Sequence, residues 1–362
     1  MRMDMRKFDY TQLKNQLWDS EILSYVAHIH EYKGRQELYI RQKPVELERL
    51  VEIAKIQSTE SSNKIEGIVT TSTRIRQLCE DKTTPRNRDE KEIMGYRDVL
   101  NTIHESHDYI PVRPSYILQL HRDLLQYAEK SFGGQFKNSQ NYISETRADG
   151  TQFIRFTPMA PYETPAAVEA ICESYQQALD TQAVDPLILI PVFINDFLCI
   201  HPFNDGNGRM SRLLTALLLY RSGYEVGKYI SIESKIEKTK SVYYEVLEQT
   251  SQQWHEAQND PTPFIKYLLG IILSSYRDFE KRVNMMGKKS TAYDVVRKAV
   301  SDTLGKFTKK EILEHCPSLK SSSVESALKK LCEEGYIEKH GSGRNTFYAK
   351  SPESSPFSPK TE

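Results

Sequence analysis

Residues 201–212 read HPFNDGNGRMSR, and their types and spacing suit one kind of ligand, a phosphate chain. An apolar run that reads as helix ends at His201, and a second begins near Arg209. The N-terminus of that second helix concentrates unpaired backbone N–H groups and the positive end of the helix dipole. Gly206, Asn207 and Gly208 stand just before it, and glycines let a backbone come close to a ligand. Such a loop is an anion nest suited to a diphosphate. Arg209 and Arg212, three apart, share a helix face and can reach the outer oxygens of one phosphate chain. Asp205 is a poor direct phosphate ligand, because two anions repel; its chemistry is to hold Mg²⁺. His201, four residues earlier, projects towards the same centre as a general base, and its reference pKa of about 6.5 leaves it mostly neutral near pH 7. Taken singly, Asp-Gly-Asn-Gly is a turn and a lone histidine a packing residue. Gathered between two helices, they read as a site. The chain has no G-x-x-x-x-G-K-[ST] run, which argues against an ordinary P-loop enzyme.

The elements that must position these residues are mostly helical. VELERLVEIAKIQ (45–57) puts Leu47, Leu50, Val51 and Ala54 on one face, with Pro44 near its start. SYILQLHRDLLQYA (115–128) repeats the pattern, with Ser115 as the expected N-cap. The texture then changes: residues 133–161 carry Gly-Gly, Asp-Gly and short aromatic runs. They predict a small hairpin turning at Ala148–Thr151. Helices resume at 164–180 and 186–200; the one after the loop stops at Gly223, and further helices are expected over 237–250 and 261–285. Beyond residue 290, three short helices precede two short strands around Gly-Ser-Gly, the order of a winged helix-turn-helix. Ser322 and Glu325 have capping-box spacing. The expected divisions are 1–110, a helical region; 111–285, the core; 290–350, the winged helix; and 351–362, a Ser/Pro-rich disordered tail.

Bulk properties narrow the classes. The 362 residues suffice for two or three domains, and 49 basic residues balance 49 acidic ones, so no global field draws the chain to nucleic acid or to a membrane. The N-terminus lacks an apolar signal core, and residues 186–200, the longest apolar run, are too short for a membrane span. No membrane contact is expected. Five cysteines without a C-x-x-C pair read as reduced core thiols of a cytoplasmic protein. His28 and His30 could share a strand face as metal ligands.

HPFNDGNGR followed by Arg212 resembles the signature of Fic (Fido) domain proteins, H-x-F-x-[DE]-G-N-G-R-x-x-R, at every fixed position. The resemblance runs over roughly 40–270, through LHRDLL, GGQFK, IRFTPMAP and VYYEVL. Most of that family transfers AMP from ATP to a Ser, Thr or Tyr hydroxyl of a protein and releases pyrophosphate. The resemblance therefore implies a mainly α fold with a hairpin flap, ATP as substrate, Mg²⁺ (or Mn²⁺) as cation, and a protein target that includes the chain itself. It implies that His201 deprotonates the hydroxyl and Asp205 holds the metal. Asn204, Gly206, Asn207 and Gly208 would line the phosphates, Arg209 and Arg212 would hold their outer end, and Phe203 would anchor the loop. The flap residues Phe153, Ile154, Arg155 and Phe156 would dock the target by strand addition. Tyr243 and Tyr244 match a tyrosine pair near the adenine, although helix packing is the plainer use of such a pair. Two positions depart from the family pattern: Lys137 stands where a flap-entry arginine is common, and Ser251 where an asparagine follows the tyrosines.

SSNKIEG resembles the family's inhibitory motif [ST]-x-x-x-E-[GN], with Ser62, Glu66 and Gly67. That resemblance implies a glutamate that pairs with Arg212, keeps the γ-phosphate from seating, and so autoinhibits the enzyme. In some relatives the same glutamate positions water to remove AMP. Two other readings stand beside AMP transfer: a Fic enzyme using another nucleotide, such as UMP transfer, and a transcription regulator binding DNA through the winged helix. The third helix of that module mixes Lys329 and Lys330 with Glu325, Glu333 and Glu334, a thin footprint for DNA. A protein partner or a homodimer are the alternatives for it.

Overall fold

The computed structural model describes residues 6–42, 44–128, 132–146, 151–286, 291–303, 305–317 and 319–351. The chain divides into two compact units. The larger is built from the described residues of 1–37 and 54–276, the smaller from those of 38–53 and 277–362.

The first helices in the chain are α1 (Ser20–Gln42), α2 (Pro44–Ile65), α3 (Ser72–Cys79), α4 (Arg88–Ser106) and α5 (Pro114–Leu124). A hairpin of β1 (Ile143–Thr146) and β2 (Gln152–Phe156) follows, then α6 (Thr164–Asp180), α7 (Pro186–Ile200) and α8 (Asn207–Arg221). The series continues with α9 (Val226–Tyr229), α10 (Ile232–Lys238), α11 (Lys240–Ser251) and α12 (Thr262–Met286). The larger unit is thus mainly helical with one small hairpin.

Its centre is the pair α7 and α8. Every residue of α7 from Leu187 to Ile200 is buried, as is every residue of α8 from Arg209 to Tyr220. α7 is apolar nearly all round, as a core helix is, whereas α8 also buries Arg209, Ser211, Arg212 and Thr215. Asp185 starts α7 by accepting the Leu187 N–H at 2.8 Å, with Pro186 in the first turn where its missing donor costs nothing. α6 packs on α7, and α4 packs on both α5 and α8. Gly95 allows the α4–α5 approach: a Cβ there would run into the Leu124 carbonyl, with its carbon at 2.8 Å. Residues before 111 therefore share the core of the segment that follows.

In the hairpin, Ser144 pairs with Ile154 and Thr146 with Gln152, with a bulge between Ile143 and Ser144. Residues 147–150, the expected turn, lie outside the described residues, as does the tail from 352 onward.

The smaller unit contains α13 (Ala292–Asp302), α14 (Lys309–His315) and α15 (Ser321–Glu333), then the antiparallel ribbon β3 (Ile337–His340) and β4 (Phe347–Lys350). Val296, Val300, Ile312, Val324, Leu328 and Leu331 join Phe307 in one buried cluster.

Several local expectations are corrected. α8 starts at Asn207, two residues ahead of Arg209, so the glycine loop is itself the helix entry. Ser115 lies inside α5, whose N-cap is Arg113. Ser322 and Glu325 make no capping box; α15 is preceded by Lys320 without a side-chain cap. Capping boxes are instead present at Thr291 with Asp294 and at Thr308 with Glu311. The stretch 237–250 is two helices, broken at Thr239. His28 and His30 sit on α1, not a strand, and are engaged elsewhere: His28 Nδ1 with the Ser24 carbonyl at 2.7 Å, His30 Nε2 with Asp185 at 2.6 Å. No helix among the described residues is long and apolar enough to cross a membrane.

Candidate active site

α7 ends by turning its last residue left-handed. His201 has φ 52° and ψ 62°, and its N–H still closes the helix on the Phe197 carbonyl at 2.9 Å. Its Nδ1 lies 3.2 Å from the Leu198 carbonyl. A carbonyl only accepts, so Nδ1 carries the proton and Nε2 is left as a bare base. Burial pushes the ring's pKa down to about 4, because the charged form loses solvation. The imidazole is neutral at pH 7, as a base must be.

The loop that follows is laced from both sides. Phe203 is fully buried and stacks on His121, ring centroids 3.6 Å apart. Asn207 binds the Phe203 backbone twice, accepting its N–H at 2.9 Å and donating to its carbonyl at 2.7 Å. Asn141 donates to the carbonyls of His201 and Phe203 at 3.1 and 3.0 Å. Lys137 donates its backbone N–H to Pro202 and its ammonium to Ile200. Burial lowers that ammonium's pKa to about 8. His121 Nε2 donates to the Asp205 carbonyl at 2.9 Å. Asn141 and His121 were not singled out from the sequence; both bind backbone, and a backbone partner leaves no trace in spacing.

Gly206 takes φ 86°, a value that favours glycine, and delivers the chain into α8 with no side-chain cap on the helix's first turn. Asp205, its side chain 41% exposed, accepts the Gly206 N–H at 2.6 Å and lies 3.7 Å from Arg209. The two arginines line the same cavity but meet different carboxylates. Arg209 is buried and its Nη2 binds Glu92 of α4 at 2.8 Å; its Nε and Nη1 have no hydrogen-bond partner among the described residues. Arg212 is turned to α2: its Nε donates to Ser62 Oγ at 2.8 Å, and its Nη2 to the Ser62 carbonyl and Glu66 Oε1 at 2.9 and 2.8 Å. α2 ends at Ile65, and Gly67, φ 79°, turns the chain directly after Glu66.

These groups surround one cavity of about 750 Å³, within the range of small-molecule and cofactor sites. His201, Asn204 to Arg209, Arg212 and Glu66 line one part. Tyr243 and Tyr244, 5.4 Å apart, line another with Arg155 and Phe156 of the hairpin. Arg155 Nη1 donates to the Tyr244 carbonyl at 3.4 Å. Ser251, where the family pattern has asparagine, also lines it, whereas Lys137 braces the loop from behind. Phe203, Ser62 and Gly67 support the wall without lining it, and Phe153 and Ile154 lie outside it.

The residues fit a triphosphate with its cation. A buried arginine edge lacking partners and an uncapped helix start are complementary to phosphate oxygens. Among the described residues no group of three or more His, Cys, Asp or Glu is arranged as a metal cage. A single half-exposed carboxylate suits Mg²⁺, which keeps waters and takes its other ligands from substrate phosphates.

Residues 111–219 match the family described as Fic/DOC. The chain is 28% identical over 193 residues to protein adenylyltransferase fic-1 of Caenorhabditis elegans, across 50% of this chain and 32% of that protein. It is 24% identical over 229 residues to protein adenylyltransferase Fic of Nematostella vectensis, across 61% of this chain and 48% of that one. The matches thus span between about a third and a half of those relatives' lengths. A Fic family protein from Desulfovibrio desulfuricans shares the fold, with a TM-score of 0.60 at 19% identity over 93% of this chain and 98% of its own. A Fic domain containing signaling protein from Bacteroides thetaiotaomicron superimposes with a TM-score of 0.58 at 25% identity, over 73% of this chain and 98% of its own. The chain therefore carries a Fic/Fido-family domain, homologous to the protein adenylyltransferases.

Proposed function

We propose that the chain is an autoinhibited protein adenylyltransferase, which moves AMP from ATP to a Ser, Thr or Tyr hydroxyl of a protein and releases pyrophosphate. The observation that carries the reading is the meeting of His201, the uncapped start of α8 and two arginines in one cavity. His201 Nε2 accepts the hydroxyl proton as the target oxygen attacks the α-phosphorus. The bond from that phosphorus to the bridging oxygen of the β-phosphate breaks, and pyrophosphate leaves towards Arg209 and Arg212. The backbone N–H groups at the start of α8 face the charge that shifts onto the phosphates, which is where preorganised donors act. Mg²⁺ bound by Asp205 would neutralise the phosphate chain. β2 pairs with β1 in a two-stranded sheet, and an extended target segment would dock on that hairpin by strand addition.

Autoinhibition rests on the Glu66–Arg212 pair. A carboxylate on Arg212 occupies the guanidinium that would take the terminal phosphate, and its own charge repels that phosphate. A pair worth about 3 kcal/mol suppresses activity roughly a hundredfold. The test compares wild type with Glu66→Gly for transfer of label from ATP labelled at the α-phosphate. Equal labelling would remove the brake from this account. Loss of AMP from pre-labelled protein in the wild type alone would assign Glu66 to AMP removal, and transfer from UTP in place of ATP would change the nucleotide.

The smaller unit is proposed as a winged helix with DNA or protein as its partner. Three helices followed by a two-stranded ribbon support that assignment. A gel shift at low salt decides between DNA and a protein contact.

A further inference from the structure

Glu92 lies on α4, outside the segment that matches the Fic/DOC family. Its side chain is only 3% exposed, and its two oxygens face two arginines: Oε2 meets Arg209 Nη2 at 2.8 Å, and Oε1 meets Arg88 Nε at 3.0 Å. Arg209 is 1% exposed, so its charge and Glu92's are both withdrawn from water. Arg209 also lies 3.7 Å from Asp205. Yet Glu92 occupies only one corner of the guanidinium, since Nε and Nη1 have no hydrogen-bond partner among the described residues. A carboxylate meeting a guanidinium through a single nitrogen tethers that corner and leaves the other donors for a second acceptor.

We propose that Glu92 is a positioning residue for the phosphate end of the site. It holds Arg209 by Nη2 so that Nε and Nη1 remain for the β-phosphate of the nucleotide, and Arg88 holds Glu92 from the solvent side. The proposal rests on the nucleotide reading of the cavity and adds to it a residue that contacts no substrate.

A mere counter-ion makes the opposite forecast. If Glu92 only balanced the arginine's charge, its carboxylate would repel phosphate, and removing that charge would tighten nucleotide binding. If Glu92 positions Arg209, reach matters more than charge. Glu92→Gln keeps an acceptor at the same reach without the charge, whereas Glu92→Asp keeps the charge but withdraws it by one methylene.

The experiment places each substitution in the Glu66→Gly protein. Binding of Mg²⁺–ATP is measured by calorimetry, and self-labelling from α-labelled ATP is followed at saturating nucleotide. The expected result is binding about tenfold weaker in Glu92→Asp and in Glu92→Ala, and within about threefold in Glu92→Gln, with labelling rates in the same order. Tighter binding in Glu92→Gln and Glu92→Ala would overturn the proposal, as would Glu92→Asp outperforming Glu92→Gln. Far-ultraviolet circular dichroism identifies a variant that fails to fold, and the Gln and Asp pair carries the decision if Glu92→Ala does. A Glu66→Gly protein that binds Mg²⁺–ATP but transfers nothing would contradict adenylyl transfer while the binding order still tests Glu92.

Discussion

Gly208 and Glu66 claim the same small volume. A Cβ on residue 208 would run into the Glu66 carboxylate, whose Cδ would stand 3.1 Å from it, and would lie 3.3 Å from Arg212 Nη1. The glycine proposed to open a phosphate cradle therefore also makes the space into which Glu66, just past the end of α2, folds. Gly208→Ala should push Glu66 away but fill the cradle with a methyl group. Combined with Glu66→Gly, it is expected to cut self-labelling at least tenfold below Glu66→Gly alone; equal labelling would show that the cavity is not entered past Gly208.

Ser62 should share the braking with Glu66. It gives Arg212 two acceptors, its hydroxyl and its carbonyl, and only the first is lost in Ser62→Ala. One hydrogen bond to a charged group contributes about 1.5 kcal/mol, so basal labelling should rise roughly tenfold, well short of the effect of Glu66→Gly. Unchanged basal labelling would confine the brake to the carboxylate.

The pH profile follows from His201. Its folded pKa is lowered to about 4 by burial, so the neutral base persists as the pH falls through the ordinary histidine range near 6.5. For the Glu66→Gly protein, kcat/KM for transfer should hold from pH 7 to about 5 and be lost only as the pH falls through about 4. That limb reports the free enzyme. A limb centred near 6.5 would mean a solvated histidine and a different pocket. Circular dichroism at each pH separates titration from unfolding.

Asn207 belongs to the loop's framework as much as to its anion hole. Asn207→Ala removes both bonds to the Phe203 backbone and leaves buried groups unpaired, which costs about 2 kcal/mol. Urea unfolding should show that loss, with labelling by the Glu66→Gly/Asn207→Ala protein reduced further than the stability change explains. A midpoint equal to the parent's would return Asn207 to a purely ligand-facing role.

How much of this was legible differs by residue. The 201–212 segment was readable because backbone chemistry constrains it: glycine for positive φ at Gly206, and a histidine that stops a helix. The helices at 164–180 and 186–200 followed from apolar patterning and proline placement, and their observed bounds agree. Glu66 was visible only through a motif that the end of α2 then brings to Arg212. Glu92, His121 and Asn141 were not visible. Each reaches the site from a distant helix or loop, and helical periodicity reports only that a face is buried, not what it meets. The same blindness explains Arg209 and Arg212. Spacing placed them on one helix face but could not show that each meets its own carboxylate, Glu92 of α4 for Arg209 and Glu66 just past α2 for Arg212.

The most direct measurement uses α-labelled ATP with Mg²⁺ on three proteins: wild type, Glu66→Gly, and Glu66→Gly/His201→Ala. Little label is expected on wild type, roughly a hundredfold more on Glu66→Gly, and a return to background when His201 is also replaced. Label that persists without His201, or no label on Glu66→Gly, would contradict it.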